Sequence, residues 1–190
     1  MPQPARERIL EATYACVARW GISKTTIEDA AREAGMSRAT VYRHFPGGRE
    51  ELIGATIGWE ELRFFGRLYD EVHDAPTLEE VLERGLPFAH RAIVEHQVLQ
   101  RVLETEPGLL LPKLTVEATR VTALISGFLV PYLPAERLVD GVDAHTAADY
   151  LARMILSYIT APGRRDLDDP VAVAQLVRVE LLGGILRPVE

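Results

Sequence analysis

With 190 residues, a formal charge of −7, 47% apolar and 26% charged side chains, the chain has an ordinary globular make-up. That suffices for one large or two small domains with a buried core, and it excludes a disordered tail or a membrane protein. No run reaches the roughly 18 uncharged apolar residues of a spanning helix, and the best candidate, 121–133, is interrupted by Thr122, Ser126 and Pro131.

The first residues, MPQPARERIL, lack the apolar core of a signal peptide, so a cytoplasmic location is expected. A single cysteine, Cys16, leaves no intramolecular disulfide and no cysteine-clustered zinc site. The charge is unevenly spread. Residues 1–49 carry 8 basic and 5 acidic side chains, whereas residues 50–190 carry 13 and 23. A basic head on an acidic body is the asymmetry expected when one end meets phosphate and the rest does not.

No stretch alternates apolar and polar residues long enough for a strand, and helical spacing prevails throughout. The first helix is predicted over 5–20, with Ile9, Ala12, Cys16, Val17 and Trp20 on one buried stripe and Gly21 ending it. A second, short helix covers 27–34. Thr25 with Glu28 fits a capping box at its start, and Ile27, Ala30, Ala31 and Ala34 form a small-residue face that asks for close packing. Gly35 supplies a positive φ at its end. Ser37 caps a third helix, 38–45, whose inward residues are Val41 and Phe45, and Pro46-Gly47-Gly48 stops it. Two short helices, a small residue at their crossing and a glycine-opened turn describe a helix-turn-helix. Beyond it, helices are predicted over 50–72, 78–95 (capped by Thr77), 98–104, 114–133, 144–161 and 170–186, making about nine in all.

The stretch TTIEDAAREAGMSRATVYRHFPGGREELI resembles the DNA-binding signature of the TetR family of bacterial transcriptional regulators. Ile27, Ala30, Ala31, Gly35, Ser37, Thr40, Val41, Tyr42, His44 and Phe45 carry the resemblance, followed by an amphipathic helix at Glu50. It departs from the family at Gly47-Gly48, where a polar and then a basic residue are common before the position of Arg49. The resemblance implies an all-α protein. Residues 1–48 would form a helix-turn-helix DNA-binding domain and 49–190 an effector-binding and dimerisation domain.

The chemistry of the head follows from the residues themselves. With Val41 and Phe45 inward, Arg38, Ala39, Tyr42 and Arg43 project outward. Arginine pairs bidentately with guanine, so Arg38 and Arg43 are the candidate base readers, and Ala39 or the Thr40 methyl suits a thymine methyl. Lys24, Thr26, Tyr42, His44 and Arg49 suit phosphate, with Ser37 completing the DNA-facing set. For Tyr42 and His44 the resemblance agrees; the alternative is a packed aromatic pair beneath the next helix.

In the body, apolar residues occupy nearly every angle of 170–186, which asks for burial on two sides. The resemblance implies that the last two helices pair with a second copy, giving Leu151, Ile155, Tyr158, Val177, Leu181 and Leu182 as interface candidates; a wholly internal helix is the alternative. Phe65, Phe88, Phe128, Tyr132 and Met154 are nominated as lining an effector cavity, with ordinary core as the competing role. The helical stripes are aliphatic and aromatic, so a largely apolar effector is expected, with a cation held by Glu61 as the runner-up.

No nucleophile elbow, zinc-protease motif, phosphate loop or dinucleotide fingerprint occurs, and the histidines are isolated, so neither an enzyme nor a metal or cofactor site is expected. The chain therefore reads as a homodimeric, ligand-responsive repressor of a palindromic operator. A DNA-binding protein without a small ligand, architectural or governed by a protein partner, is the alternative.

Overall fold

The computed structural model describes the backbone of residues 3–187 and the side chains of 3–110 and 118–187. The described chain is helical apart from one isolated antiparallel bridge, Leu138 with Leu186. The helices are α1 (Ala5–Trp20), α2 (Ile27–Glu33), α3 (Arg38–His44), α4 (Gly48–Val72), α5 (Leu78–Val94), α6 (Gln97–Thr105), α7 (Pro107–Leu129), α8 (Ala144–Thr160) and α9 (Pro170–Gln175). Among the described residues, no helix is long and apolar enough to cross a membrane.

The chain forms two compact units. One comprises the residues up to Gly66 together with His96–Leu114; the other comprises Arg67–Glu95 together with the residues from Thr115 onward. In the first unit α2 packs on α1, and Ala30 at that crossing is wholly buried. Ile9, Leu10, Ile27, Ala31, Val41, Phe45 and Leu52 complete this core. A second cluster joins Ile22 and Ile53 to Val102 and Leu110 of α6 and α7. Cys16 is buried, and burial, reinforced by Glu33 and Asp29, pushes its thiol up, which keeps it unreactive.

The second unit packs α5 against α8 and α9. Thr77 caps α5 by accepting the Glu80 amide at 3.2 Å. Asp143 caps α8 through the His145 and Thr146 amides, both at 3.0 Å. Leu78, Val81, Leu82, Leu86 and Ala89 are buried on α5, and α8, which packs on it, buries an alanine- and isoleucine-rich face.

Several sequence expectations are corrected. The capping box is Thr26 with Asp29, one residue later than expected, because Thr25 turns inward and donates to the Gly21 carbonyl at 2.7 Å. Trp20 stands 39% exposed at the end of α1 and lies off the buried stripe. Helix α7 begins at Pro107 rather than near 114, since proline at the first helical position gives up no hydrogen bond. It ends at Leu129, and Val130–Tyr132 tightens into a 3₁₀ turn containing Pro131.

The long last helix is also interrupted: α9 gives way to a π turn, Leu176–Leu181, closed by the Leu182 amide on the Val177 carbonyl at 2.9 Å. The wider winding puts Leu176 and Val177 on one face with Leu181 and Leu182, and all four are buried. The chain then folds back so that the Val139 amide donates to Ile185 at 3.0 Å and the Arg187 amide to Arg137 at 2.8 Å.

Candidate nucleic-acid interface

The geometry of the head is fixed by its turns. Helix α1 ends at Gly21, whose φ of +85° suits glycine; an added Cβ there would also lie 2.9 Å from a Glu106 carboxylate oxygen. Helix α2 starts on the Thr26–Asp29 box, with the Asp29 amide 3.1 Å from the Thr26 hydroxyl and the Thr26 amide 3.2 Å from the Asp29 carboxylate. The Thr26 hydroxyl and Arg32 hold the Asp29 carboxyl below its ordinary range. The chain leaves α2 through Gly35, at φ +64°, while the Met36 amide donates back to the Ala31 carbonyl at 2.9 Å. Arg8 of α1 donates to the Ala34 carbonyl at 2.8 Å and braces this turn. Ser37 then caps α3 by accepting the Thr40 amide at 3.1 Å.

The consequence is a two-faced α3. Val41 and the following Phe45 are buried, whereas Arg38, Ala39, Tyr42 and Arg43 are exposed and Thr40 and His44 half-buried. Lys24 and Thr26 are exposed at the approach to α2. Thr26 carries the cap and Ser37 caps α3, so these two hydroxyls have structural work within the head. Arg49, expected at phosphate, is placed as a brace: its Nε donates to the Thr25 carbonyl at 2.9 Å, Nη2 to the Ile22 carbonyl, and Nη1 pairs with Glu50 at 3.0 Å.

Three features of the head had no signal in the sequence. The guanidinium of Arg6 stacks over the Phe45 ring at 5.3 Å, placing a cation beside the end of α3. Glu28 pairs with Arg38 at 2.7 Å. Glu106 accepts the Ile22 amide at 2.6 Å, the Ser23 amide at 3.2 Å and the Ser23 hydroxyl, clamping the turn between α1 and α2 from the far side of the sequence. Burial pushes the Glu106 carboxyl up, but those donors and the charge of Lys24 pull harder, and it lies below its ordinary range.

The remaining candidates are distributed over both units. Phe65 lies in the first and is half-buried in edge contact with Phe64 at 5.3 Å. Phe88, Phe128, Tyr132 and Met154 lie in the second and are half-buried, with the Phe128 and Tyr132 rings 5.6 Å apart. Of the interface candidates, Leu151, Ile155, Val177, Leu181 and Leu182 are buried in the chain's own core, because α5 covers α8 and the π turn. Tyr158 is half-buried and donates to Glu180 at 2.7 Å, with Arg165 over its ring. The large apolar side chains exposed on these elements are instead Tyr150, Val171 and Val179. Among the described residues no group of three His, Cys, Asp or Glu side chains is placed to hold a metal.

A family model described as bacterial regulatory proteins of the tetR family matches residues 9–56. The HTH-type transcriptional regulator AlkX of Mycobacterium tuberculosis is 27% identical over 179 residues, 90% of this chain and 82% of that protein. GusR of Salmonella enterica has the same fold at a TM-score of 0.64 and 24% identity, over 97% of this chain and 96% of that one. The TetR family repressor AlkX from Dietzia sp., implicated in biodegradation of n-alkanes, has a TM-score of 0.58 and 23% identity, over 97% and 99%.

Proposed function

This chain belongs to the TetR family of helix-turn-helix transcriptional regulators, and from that premise we propose that it is a homodimeric repressor released from a palindromic operator by an apolar effector. The single observation that carries the reading is the two-faced α3, with Arg38, Ala39, Tyr42 and Arg43 exposed opposite the buried Val41 and Phe45. A helix anchored along one side presents its other side to the major groove, where Arg38 and Arg43 read guanine and Ala39 or Thr40 touches thymine methyls. Lys24, Tyr42 and His44 position the head on phosphates, and Arg6 adds a cation at the end of α3. Thr26, Ser37 and Arg49 act indirectly, by holding the helices that carry these groups.

Support for an apolar effector comes from the second unit. Among its described residues the buried side chains are apolar except for Ser126, which bonds to Asp149 at 2.6 Å. Arg91 is paired with Asp168 at 3.0 Å. A compact anion would find little to neutralise it, and an unpaired charge is costly to bury. The half-buried Phe88, Phe128, Tyr132 and Met154 of the second unit provide aromatic and thioether surface for such a ligand. The name of the Dietzia relative, implicated in n-alkane biodegradation, points to the same chemical class. Helix α4 has residues in both units. An effector that shifts it alters the separation of the two recognition helices and takes them out of register with successive major grooves.

The test titrates long-chain alkanes, fatty acids and compact sugar phosphates into the chain bound to DNA enriched from random duplexes. Alkyl compounds should release the DNA, and bound DNA should weaken the effector by the same factor. Release by sugar phosphates alone would contradict the reading.

A further inference from the structure

The head carries a negative charge on a surface otherwise suited to phosphate. Glu28, the second residue of α2, is half exposed, and its Oε1 lies 2.7 Å from Nη1 of Arg38. Arg38 opens α3, and no acid occupies the first turn of that helix. A cation at this position opposes the helix dipole, whose positive end favours carboxylates. Helix stability therefore does not account for Arg38, and Asp29 already supplies the acid that caps α2. Nor does the pair account for itself energetically, because an exposed ion pair contributes only about 0–1 kcal/mol. It matters more for DNA binding, since Glu28 offsets one of the two exposed cations, Arg38 and Arg43, on the outward face of α3.

We propose that Glu28 is a specificity-determining residue: it orients the Arg38 guanidinium for guanine and itself accepts a cytosine amino group, so that the two read G·C content as a unit. The inference rests on the reading of Arg38 as a base reader. A guanidinium has five N–H donors. The ion-pair commitment to Glu28 is made at Nη1 and leaves the guanidinium the donors it needs for bidentate pairing with guanine O6 and N7. The commitment also restricts a long side chain that would otherwise reach phosphates of any sequence. The carboxylate has acceptor capacity left for cytosine N4, the base-edge group that acidic side chains recognise. It is repelled by guanine O6 and N7, thymine O4 and phosphate oxygens, which are all acceptors, whereas adenine sets its N6 amino donor beside the N7 acceptor. Discrimination thus arises from an attractive contact to an amino-bearing base edge and a penalty on edges that present only acceptors.

The test uses the full chain as wild type, Glu28→Gln, Glu28→Asp and Arg38→Ala. A site is first enriched from random duplexes, and binding is then measured to that site, to each single-base variant of it, and to unrelated duplex. Glu28→Gln should strengthen binding to unrelated duplex and lower the specific-to-unrelated ratio about tenfold per half-site. The lost preference should fall at the positions that Arg38→Ala also relaxes. Glu28→Asp keeps the charge but shortens the reach, so it should lose the preference without strengthening unrelated binding. Both side chains are exposed, so thermal unfolding should stay near wild type. If Glu28→Gln tightens every duplex by one factor while Arg38→Ala reshapes the base profile, the inference is overturned and the reading of Arg38 stands. If Arg38→Ala leaves the base profile unchanged, the reading of Arg38 fails and this inference fails with it.

Discussion

Arg43 and Lys24 are both exposed cations of the head, but their positions give them different work. Arg43 lies on the outward face of α3, whereas Lys24 sits in the turn before α2. Replacing Arg43 by alanine should cost about 1–3 kcal/mol per half-site and relax preference at one symmetric base position. Replacing Lys24 should weaken all sequences alike and flatten the salt dependence by about two charges per dimer. Titration of operator and unrelated duplex at several salt concentrations separates the two; an equal loss of specificity from both would contradict the division.

The Glu106 clamp depends on its charge and therefore on pH. Its folded-state carboxyl lies below the ordinary range, so the stability it contributes is present above the unfolded value and lost as pH falls through the folded one. Glu106→Gln should therefore unfold earlier than wild type at neutral pH, by about 1–2 kcal/mol given hydrogen bonds to a half-exposed charged acceptor. The gap should close on acidification below roughly pH 4. Paired denaturant melts across that range provide the check, and a gap independent of pH would show that the clamp does not depend on the charge.

At the scale of elements, the Thr26–Asp29 box predicts that Thr26→Ala costs about 1 kcal/mol of stability, whereas Glu28→Gln leaves the melt unchanged. The alternative box, Thr25 with Glu28, predicts a melt sensitive to Glu28. Ala30 is wholly buried where α2 crosses α1, so Ala30→Leu should cost about 1–3 kcal/mol by overpacking and reduce DNA binding with it. Thermal and denaturant melts of the three variants decide both points.

These elements also show what the chain made legible. Helix α1, Gly35 and the Ser37 cap follow from local rules, because each depends on neighbours within four or five residues. The cap of α2 slipped by one because two adjacent threonines satisfy the same rule, and only burial of Thr25 chooses between them. The π turn at 176–181 was hidden because its apolar residues also fit an ordinary helix buried all round. The outward set on α3 was readable from Val41 and Phe45. The partners Glu106, Glu28 and Arg6 were not, because each pairing is made by tertiary approach and leaves no periodic trace.

At the scale of the whole molecule, burial of Leu151 and Leu182 changes how the proposed dimer is probed. Charges placed there should unfold the second unit, because both lie in its own core. Val171 and Val179 are exposed β-branched residues on α9 and the π turn that follows it. Val179→Asp should lower the sedimenting mass toward one protomer while leaving helical content intact. An unaltered dimer would place the interface elsewhere, and loss of helicity would show that Val179 is needed for the fold instead.

In the proposed complex, two copies of the exposed face of α3 read one symmetric DNA site. Binding-site selection with the wild-type chain, combined with sedimentation of the enriched complex, tests it most directly. The expected result is a near-palindrome with half-sites about one helical turn apart, roughly 34–36 Å, bound by protomers in pairs. No enrichment from random duplexes, or an unsymmetrical site bound by a single protomer, would contradict it.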